Sequence, residues 1–419
     1  MAHLLMIESW VGASGSLLPP LLKSLGHTYT FVTRKLEHYQ SAHSTEKHPV
    51  ILHADDVLVT ETNDVPGLIE CLRAYKFDGV ITVCDYYIDT VREVAQAFSL
   101  PCPFPEAVRN VRSKHLMRRA LDEAGVPNPS YRLANSWVET EEAAAELGYP
   151  FVMKPVDLAS SAFVRIIRNR EELKDAYAAL EAFPLNFRDQ ARDRTYLLEA
   201  YMEGEEISVE SISYEGETTI LGVTDKSVTG TPYFIENGHM FPARLSDELR
   251  SEVEQYVKKA LQAVGYDHGI AHTEVKLTAD GPRIVEINPR TAGNYIVELI
   301  KRVTDIDLLH AFVDLSLGRK PALEARDCGI QSAAVMFLVP PRGGNLTHIQ
   351  GVDTLETDDN LVRYKIENAA GRSISTPIDN ACYLGHVVAV DREGLNARAY
   401  AEAALQRIVL TFDTSEVSV

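Results

Sequence analysis

The stretch that most constrains this chain is His272-Thr273-Glu274-Val275-Lys276, followed across an Asp280-Gly281 turn by Ile284-Val285-Glu286-Ile287-Asn288-Pro289-Arg290. Polar and apolar residues alternate on both sides of the turn, the period-two signature of two half-buried strands joined in a hairpin. Ile270, His272, Glu274 and Lys276 then share one face of the first strand, and Glu286 and Asn288 share one face of the second. Where the two polar faces coincide, two carboxylates and an amide carbonyl converge. That donor set suits a hard divalent cation and leaves positions open for phosphate oxygens. Arg290, just beyond Pro289, adds a planar cationic fork beside it. The same pattern equally describes a polar hairpin face in water.

The rest of the composition narrows the choice. At 419 residues there is room for two or three domains with substantial cores. A net charge of -19 argues against a nucleic-acid partner, which needs a concentrated positive surface, but a few local Lys and Arg residues can still make one cleft attractive to a small anion. No apolar run reaches membrane-spanning length and no basic segment precedes the short apolar N-terminus, so neither membrane insertion nor export is expected and the chain reads as cytoplasmic. Cys71, Cys84, Cys102, Cys328 and Cys382 are widely spaced, as reduced cytosolic thiols are.

Residues 1–105 alternate short strands (4–7, 29–32, 80–83) with helices (17–25, 66–75, 89–98), which predicts an α/β unit with a parallel sheet. Its first loop, Gly12-Ala13-Ser14-Gly15-Ser16, offers backbone N–H groups to an anion but lacks the spaced dinucleotide fingerprint. The proline-rich Pro101-Cys102-Pro103-Phe104-Pro105 marks a boundary. In the following helix, 113–124, Lys114 sits in the first turn, where a basic group gains nothing from the helix dipole; reaching a bound phosphate would explain it, and so would simple solvation. Phe151-Val152-Met153-Lys154-Pro155 is an apolar strand ending in a lysine, followed by a glycine-free small-residue turn containing Ser160 and Ser161. A lysine fixed beside such a turn can pair with phosphate oxygens, although an ordinary turn has the same composition.

Residues 170–182 read as an amphipathic helix and 183–194 as a solvated, arginine-bearing crossover. The apolar run ending in Glu199-Ala200-Tyr201-Met202 could expose backbone groups to an adenine edge and place a later carboxylate near ribose hydroxyls, or else is an ordinary hairpin with an acidic turn. Residues 228–244 are small-residue-rich and aromatic, as a mobile flap would be, and contain His239 close after Lys226. Leu249, Val253, Val257, Leu261 and Val264 form a helical core stripe. From about 328 onward, strand patterns at 333–339, 361–366 and 383–390 and a helix at 396–407 suggest a smaller α+β unit.

Taken in order, Lys114, Lys154-Pro155, Glu199 through Glu206, Thr224-Asp225-Lys226, Glu274 and Glu286-Ile287-Asn288-Pro289-Arg290 resemble the motifs of the ATP-grasp superfamily, most closely its carboxylate–amine ligases of the L-amino-acid ligase type. The resemblance implies an ATP-grasp fold of mixed α/β and α+β class: a Rossmann-like pre-ATP-grasp domain at 1–105, a two-lobed ATP-grasp region at 106–320 and a C-terminal α+β extension at 321–419. It implies that Lys114 and Lys154, with Ser160 and Ser161, contact the phosphates of ATP. By the same resemblance Glu199, Ala200, Tyr201 and Met202 receive adenine, and Glu206 holds ribose. Glu274, Glu286 and Asn288 are implied as ligands of Mg2+, or of Mn2+ in its place. Arg290, Lys226, His239 and His272 are the implied catalytic group, Arg290 steadying the transferred phosphate and a histidine assisting or orienting the amine. The implied reaction joins a small-molecule carboxylate to an amino acid through an acyl phosphate, forming a dipeptide-like amide. A bicarbonate-using carboxylase and a non-catalytic nucleotide-binding protein are the competing readings, and a homodimer through the N-terminal domain is the association suggested.

Overall fold

The computed structural model describes residues 1–40, 46–159, 161–229 and 233–413. Among them the strands form four sheets. β1 (His3–Ile7), β2 (Thr28–Thr33), β3 (Asp56–Val59) and β4 (Gly79–Ile81) make a parallel sheet in the order β3-β2-β1-β4. The sequence shows β1, β2 and β4 because their near-continuous apolar runs are buried on both faces; β3 escapes it, being a four-residue edge strand with exposed ends.

A second, antiparallel sheet in the order β5-β8-β6-β7 uses β5 (Tyr131–Ala134), β6 (Phe151–Pro155), β7 (Arg165–Ile167) and β8 (Tyr196–Ala200). The helices Trp137–Leu147 and Arg170–Glu181 cover it, with Ala143, Ala144, Leu173, Ala176 and Leu180 packed on Phe151, Met153 and Leu198. Both helices carry side-chain caps, Ser136 to the Glu139 N–H and Asn169 to the Glu172 N–H, each worth about 1 kcal/mol.

The largest sheet has eight strands. It contains β9 (Glu205–Tyr214), β10 (Glu217–Val228), β11 (Glu236–Phe241), β12 (Gly269–Thr278) and β13 (Gly281–Asn288). Beyond these come β14 (Ser332–Phe337), β15 (Gly344–Gln350), β16 (Leu361–Ile366), β17 (Arg372–Ile374), β18 (Gly385–Asp391) and β19 (Val409–Phe412). The order is β13-β12-β9-β10-β11-β14-β18-β16, while β15, β17 and β19 form a small sheet of their own. The C-terminal stretch, expected as a smaller unit, therefore extends the same sheet that carries the hairpin. The 228–244 segment also differs from expectation. Its residues 236–241 are an internal strand between β10 and β14, so only the tip is left to be a flap, and 230–232 lie outside the described residues.

The expected hairpin is β12 and β13. Val275, Ile284 and Ile287 turn to the helix Asp247–Ala263, whose Val253, Val257, Ala260 and Leu261 meet them in one core. Each such aliphatic side chain contributes roughly 1.5–3 kcal/mol, so Val257→Asp would unseat the helix and release the hairpin it supports. Among the described residues no helix is long and apolar enough to cross a membrane.

Candidate active site

With the apolar face fixed against the helix, the other face of β12 and β13 has no freedom in where it points. Glu274 lies directly opposite Glu286 and His272 opposite Asn288, through a bulge after Glu274. Across β9 the same face continues with Glu210 opposite His272, Ser208 opposite Glu274 and Glu206 opposite Lys276, and β10 adds Lys226 opposite Glu206. The two polar faces of the hairpin thus coincide, as the cation-site reading requires.

This face and the β5-β8-β6-β7 sheet flank an open cleft. Lys154, Ser161, Ala200, Tyr201 and Met202 line it from the side of that sheet, Glu206, Glu274 and Glu286 from the large sheet, and Lys114 from the helix Lys114–Glu123, which packs with the hairpin. Ser160 lies outside the described residues. Lys114 Nζ donates to Leu158 O at 2.9 Å and lies 3.2 Å from Glu286 Oε2, so it ties the turn after β6 to the large sheet. Lys154 is 4% exposed and sits 2.6 Å from Glu199 Oε2. Burial drives its ammonium below the usual lysine range, while Glu199 partly restores it. Glu199 is itself buried, and its carboxylate, which burial alone would raise, is held low by Arg118 and Lys154. Its side chain is thus committed to two cations, and its contribution to an adenine edge would come from backbone.

Sequence reasoning missed Arg118. Its fully buried guanidinium donates to Glu199 Oε1 at 2.5 Å, Asn128 Oδ1 at 3.0 Å, Ile284 O at 2.9 Å and Val285 O at 3.0 Å. It lies four residues after Lys114, on the same helical face, which is the signal that could have exposed it. Glu236 was also missed. Its Oε1 is 2.9 Å from Lys226 Nζ, and its Oε2 lies 3.2 Å from His239 Nε2 and accepts from Asn294 Nδ2 at 2.5 Å. Lys226 is a hub: Glu206, Glu236 and Glu274 surround its ammonium at 3.1, 2.9 and 2.7 Å. Burial opposes its charge, but the three carboxylates, Glu236 first, raise it well above the lysine norm.

His272 is held between two carboxylates. Its Nδ1 is 2.7 Å from the buried Glu210 and its Nε2 3.3 Å from Glu274, so both ring nitrogens are engaged by carboxylates. Despite burial, which acts to lower it, Glu210 and Glu274 push the imidazole up to about 9. His239 is buried at 1% exposure beside Glu236. Most of the 183–194 crossover is exposed, as expected, but Asn186 and Arg188 are buried, the latter at 4% exposure. Arg290 Nε donates to Asp85 Oδ1 at 2.6 Å, so the arginine is gripped by the parallel-sheet layer.

A divalent cation fits the hairpin by the chemistry of its donors. Glu286 Oε1 accepts from Asn288 Nδ2 at 3.0 Å, which turns the amide alongside the carboxylate and leaves an all-oxygen set of Glu274, Glu286 and the Asn288 carbonyl. Burial would raise the Glu286 carboxyl, but Lys114 and Asn288 hold it well below the usual carboxylate range, so it is charged and ready to bind. No cluster of three or more His, Cys, Asp or Glu gathers as a metal nest among the described residues.

A model described as an ATP-grasp domain matches residues 147–298, and one described as the L-amino acid ligase C-terminal domain 2 matches residues 336–413. The chain carries an ATP-grasp domain and has the ATP-grasp fold. The matches fall among the carboxylate–amine ligases, on the L-amino acid ligase side. An uncharacterized protein, y4rH, of Sinorhizobium fredii is 29% identical over 384 residues, covering 88% of this chain and 78% of the relative. The alanine–anticapsin ligase of Bacillus subtilis (strain 168) is 24% identical over 307 residues, 68% of this chain and 64% of that ligase. The L-amino acid ligase from Bacillus licheniformis superposes with a TM-score of 0.81 at 20% identity, covering 99% of both chains, and shares the fold. The β5-β8-β6-β7 sheet and the β12–β13 hairpin lie on opposite sides of the cleft.

Proposed function

We propose that this protein joins the carboxylate of an amino acid, or of an amino-acid-like acid, to the amino group of a second amino acid, converting ATP to ADP and phosphate. The observation that carries the reading is the pairing of Glu274 with Glu286 across the hairpin, facing Lys114 and Lys154 over one cleft. Charge of both signs is concentrated there on rigid elements, which is what phosphoryl transfer requires of a protein.

In the first step a substrate carboxylate oxygen attacks the γ-phosphorus of ATP; the bond to the β-phosphate bridging oxygen breaks, ADP departs, and an acyl phosphate remains. Lys114 and Lys154 would hold phosphate oxygens, each exchanging part of its present pairing with Glu286 and Glu199. Glu274, Glu286 and Asn288 would hold Mg2+, which supplies compact positive charge to the phosphate oxygens. Arg290, aimed by Asp85, steadies the transferred phosphate. In the second step the free amine attacks the acyl carbonyl, phosphate leaves, and the amine loses a proton. Glu236, flanked by Lys226, His239 and Asn294 and opening on the cleft, is the carboxylate suited to hold an ammonium group before that step. In this reading the small lobe, built on the β5-β8-β6-β7 sheet, excludes water from the acyl phosphate.

Purified protein, ATP and Mg2+ would be incubated with pooled amino acids and small carboxylic acids, following phosphate release and the mass of every product. An amide product formed in step with ADP supports the reading. ADP release confined to bicarbonate-containing reactions would replace it with a carboxylase.

A further inference from the structure

The 183–194 segment of the small lobe is folded back on itself and inserted into the parallel-sheet layer. Asn186 N donates to Gln190 O at 2.8 Å, and Asp189 takes a φ of 58°, which brings Arg188 to the tip of the turn. Arg188 Nη2 donates to Ser9 O at 2.7 Å, and its guanidinium lies 5.5 Å from the Trp10 ring and 5.6 Å from the Tyr39 ring. The turn is pinned on either side: Asp189 pairs with Arg34 and Lys35 at 2.7 and 2.6 Å, and Gln190 Nε2 donates to Tyr86 O at 3.2 Å. Trp10 carries the contact inward. Its Nε1 donates to Asp85 Oδ2 at 2.8 Å, while Asp85 Oδ1 accepts from Arg290 Nε at 2.6 Å. Tyr86, beside Asp85, packs edge-on against Trp10 and accepts at its hydroxyl from Ala159 N at 3.4 Å, in the turn that follows β6.

A crossover needed only to connect two elements gains little from burying a guanidinium, whose desolvation is costly unless it is repaid. We propose that Arg188 is a positioning residue: by seating the small lobe on Trp10 it sets the Trp10–Asp85 pair, and through that pair the direction of Arg290 toward the transferred phosphate. Arg290 is then in place only while the lobe is docked. Arg188 touches no substrate, and the proposal rests on the reading of Arg290 as the phosphate-facing arginine.

The test is a double-mutant cycle on nucleotide affinity by calorimetry, using adenylyl imidodiphosphate with Mg2+ and, separately, ADP with Mg2+. Arg188→Ala should weaken the triphosphate analogue about five- to tenfold, the size of coupling carried by a packed network, and leave ADP within about twofold. Arg290→Ala should do the same, and the double variant should be no worse than about twofold beyond the weaker single one. In a Trp137→Phe background Trp10 is the one remaining tryptophan, and its emission should shift in Arg188→Ala. Losses that multiply, an equal loss for ADP, no loss at all, or an unmoved Trp10 spectrum each overturn the coupling. Should Arg188→Ala fail to fold, Arg188→Lys and Trp10→Phe enter the same cycle, the latter keeping a ring while removing the N–H to Asp85. Failure of the intact protein to bind the analogue would overturn the ATP-site reading itself, whereas intact binding with multiplying losses overturns the coupling alone.

Discussion

Replacing Lys226 by Met removes the one ammonium shared by Glu206, Glu236 and Glu274, at 3.1, 2.9 and 2.7 Å, while keeping most of the side-chain volume. A pair at about 3 Å is worth roughly 5–6 kcal/mol of Coulomb attraction at an effective dielectric near 20, most of it spent on desolvation. What remains visible is the penalty of carboxylates left without their counter-charge in a site where the lysine side chain is 1% exposed, about 3–5 kcal/mol. The sign with pH follows from Glu236. Burial would raise its carboxyl, but Lys226 and His239 hold it well below the ordinary value, so its contribution is present above about pH 4.3 and is lost as pH falls. Lys226→Met forfeits that contribution, so its deficit should be full from pH 8 down to about pH 4.3 and shrink only below it, toward pH 2. Urea unfolding of both proteins at pH 8 and pH 2, followed by far-UV circular dichroism, measures it. A deficit below about 1 kcal/mol at pH 8, or one equal at both pH values, would refute the hub as a net source of stability.

Glu286→Gln and Glu274→Gln should each raise the Mg2+ concentration needed for half-maximal turnover by about 100-fold or abolish turnover, read from metal titrations of ADP release. Arg118→Lys should cost about 3 kcal/mol of stability in denaturant unfolding, because one ammonium cannot satisfy Glu199 and two hairpin carbonyls at once; a loss under 1 kcal/mol would count against the fork. His386, packed 4.4 Å from the Tyr295 ring, is driven down to about 4 by burial and by Arg363. Its neutral form is the native one, so stability is full above its unfolded value near 6.5 and falls by about 2–3 kcal/mol as pH drops toward 4. His386→Gln should flatten that slope in thermal melts across the same window.

The features legible in the sequence are those written in a local period. The hairpin announces itself because its two faces differ in polarity at every step, and the apolar face, once buried under Val253 and Val257, leaves Glu274 and Glu286 no other place to point. The helices after residue 245 and at 308–316 are legible for the same reason, with the period changed to 3.6. What escaped depends on partners far along the chain. Arg188 reads as a solvated arginine until Trp10, 178 residues earlier, stands over it, and Glu236 lay in a stretch whose glycine, threonine and proline suggested a flap until β10 and β14 enclosed it on both sides. The same distinction separates His272 from His239: alternation places His272 on a strand while His239 falls in the expected flap, and only the cross-strand register shows that Glu210 and Glu274 occupy both nitrogens of His272. Charge is where this limit bites hardest. A sequence with 60 acidic and 41 basic residues says that repulsion must be managed, and the fold manages it by gathering three carboxylates on one lysine and two cations on Glu199, inside the cleft where a nucleotide's phosphates would arrive. Under the proposed function, an entering polyanion and its cation would exchange part of these pairings, which would make their energies part of nucleotide affinity as well as of stability.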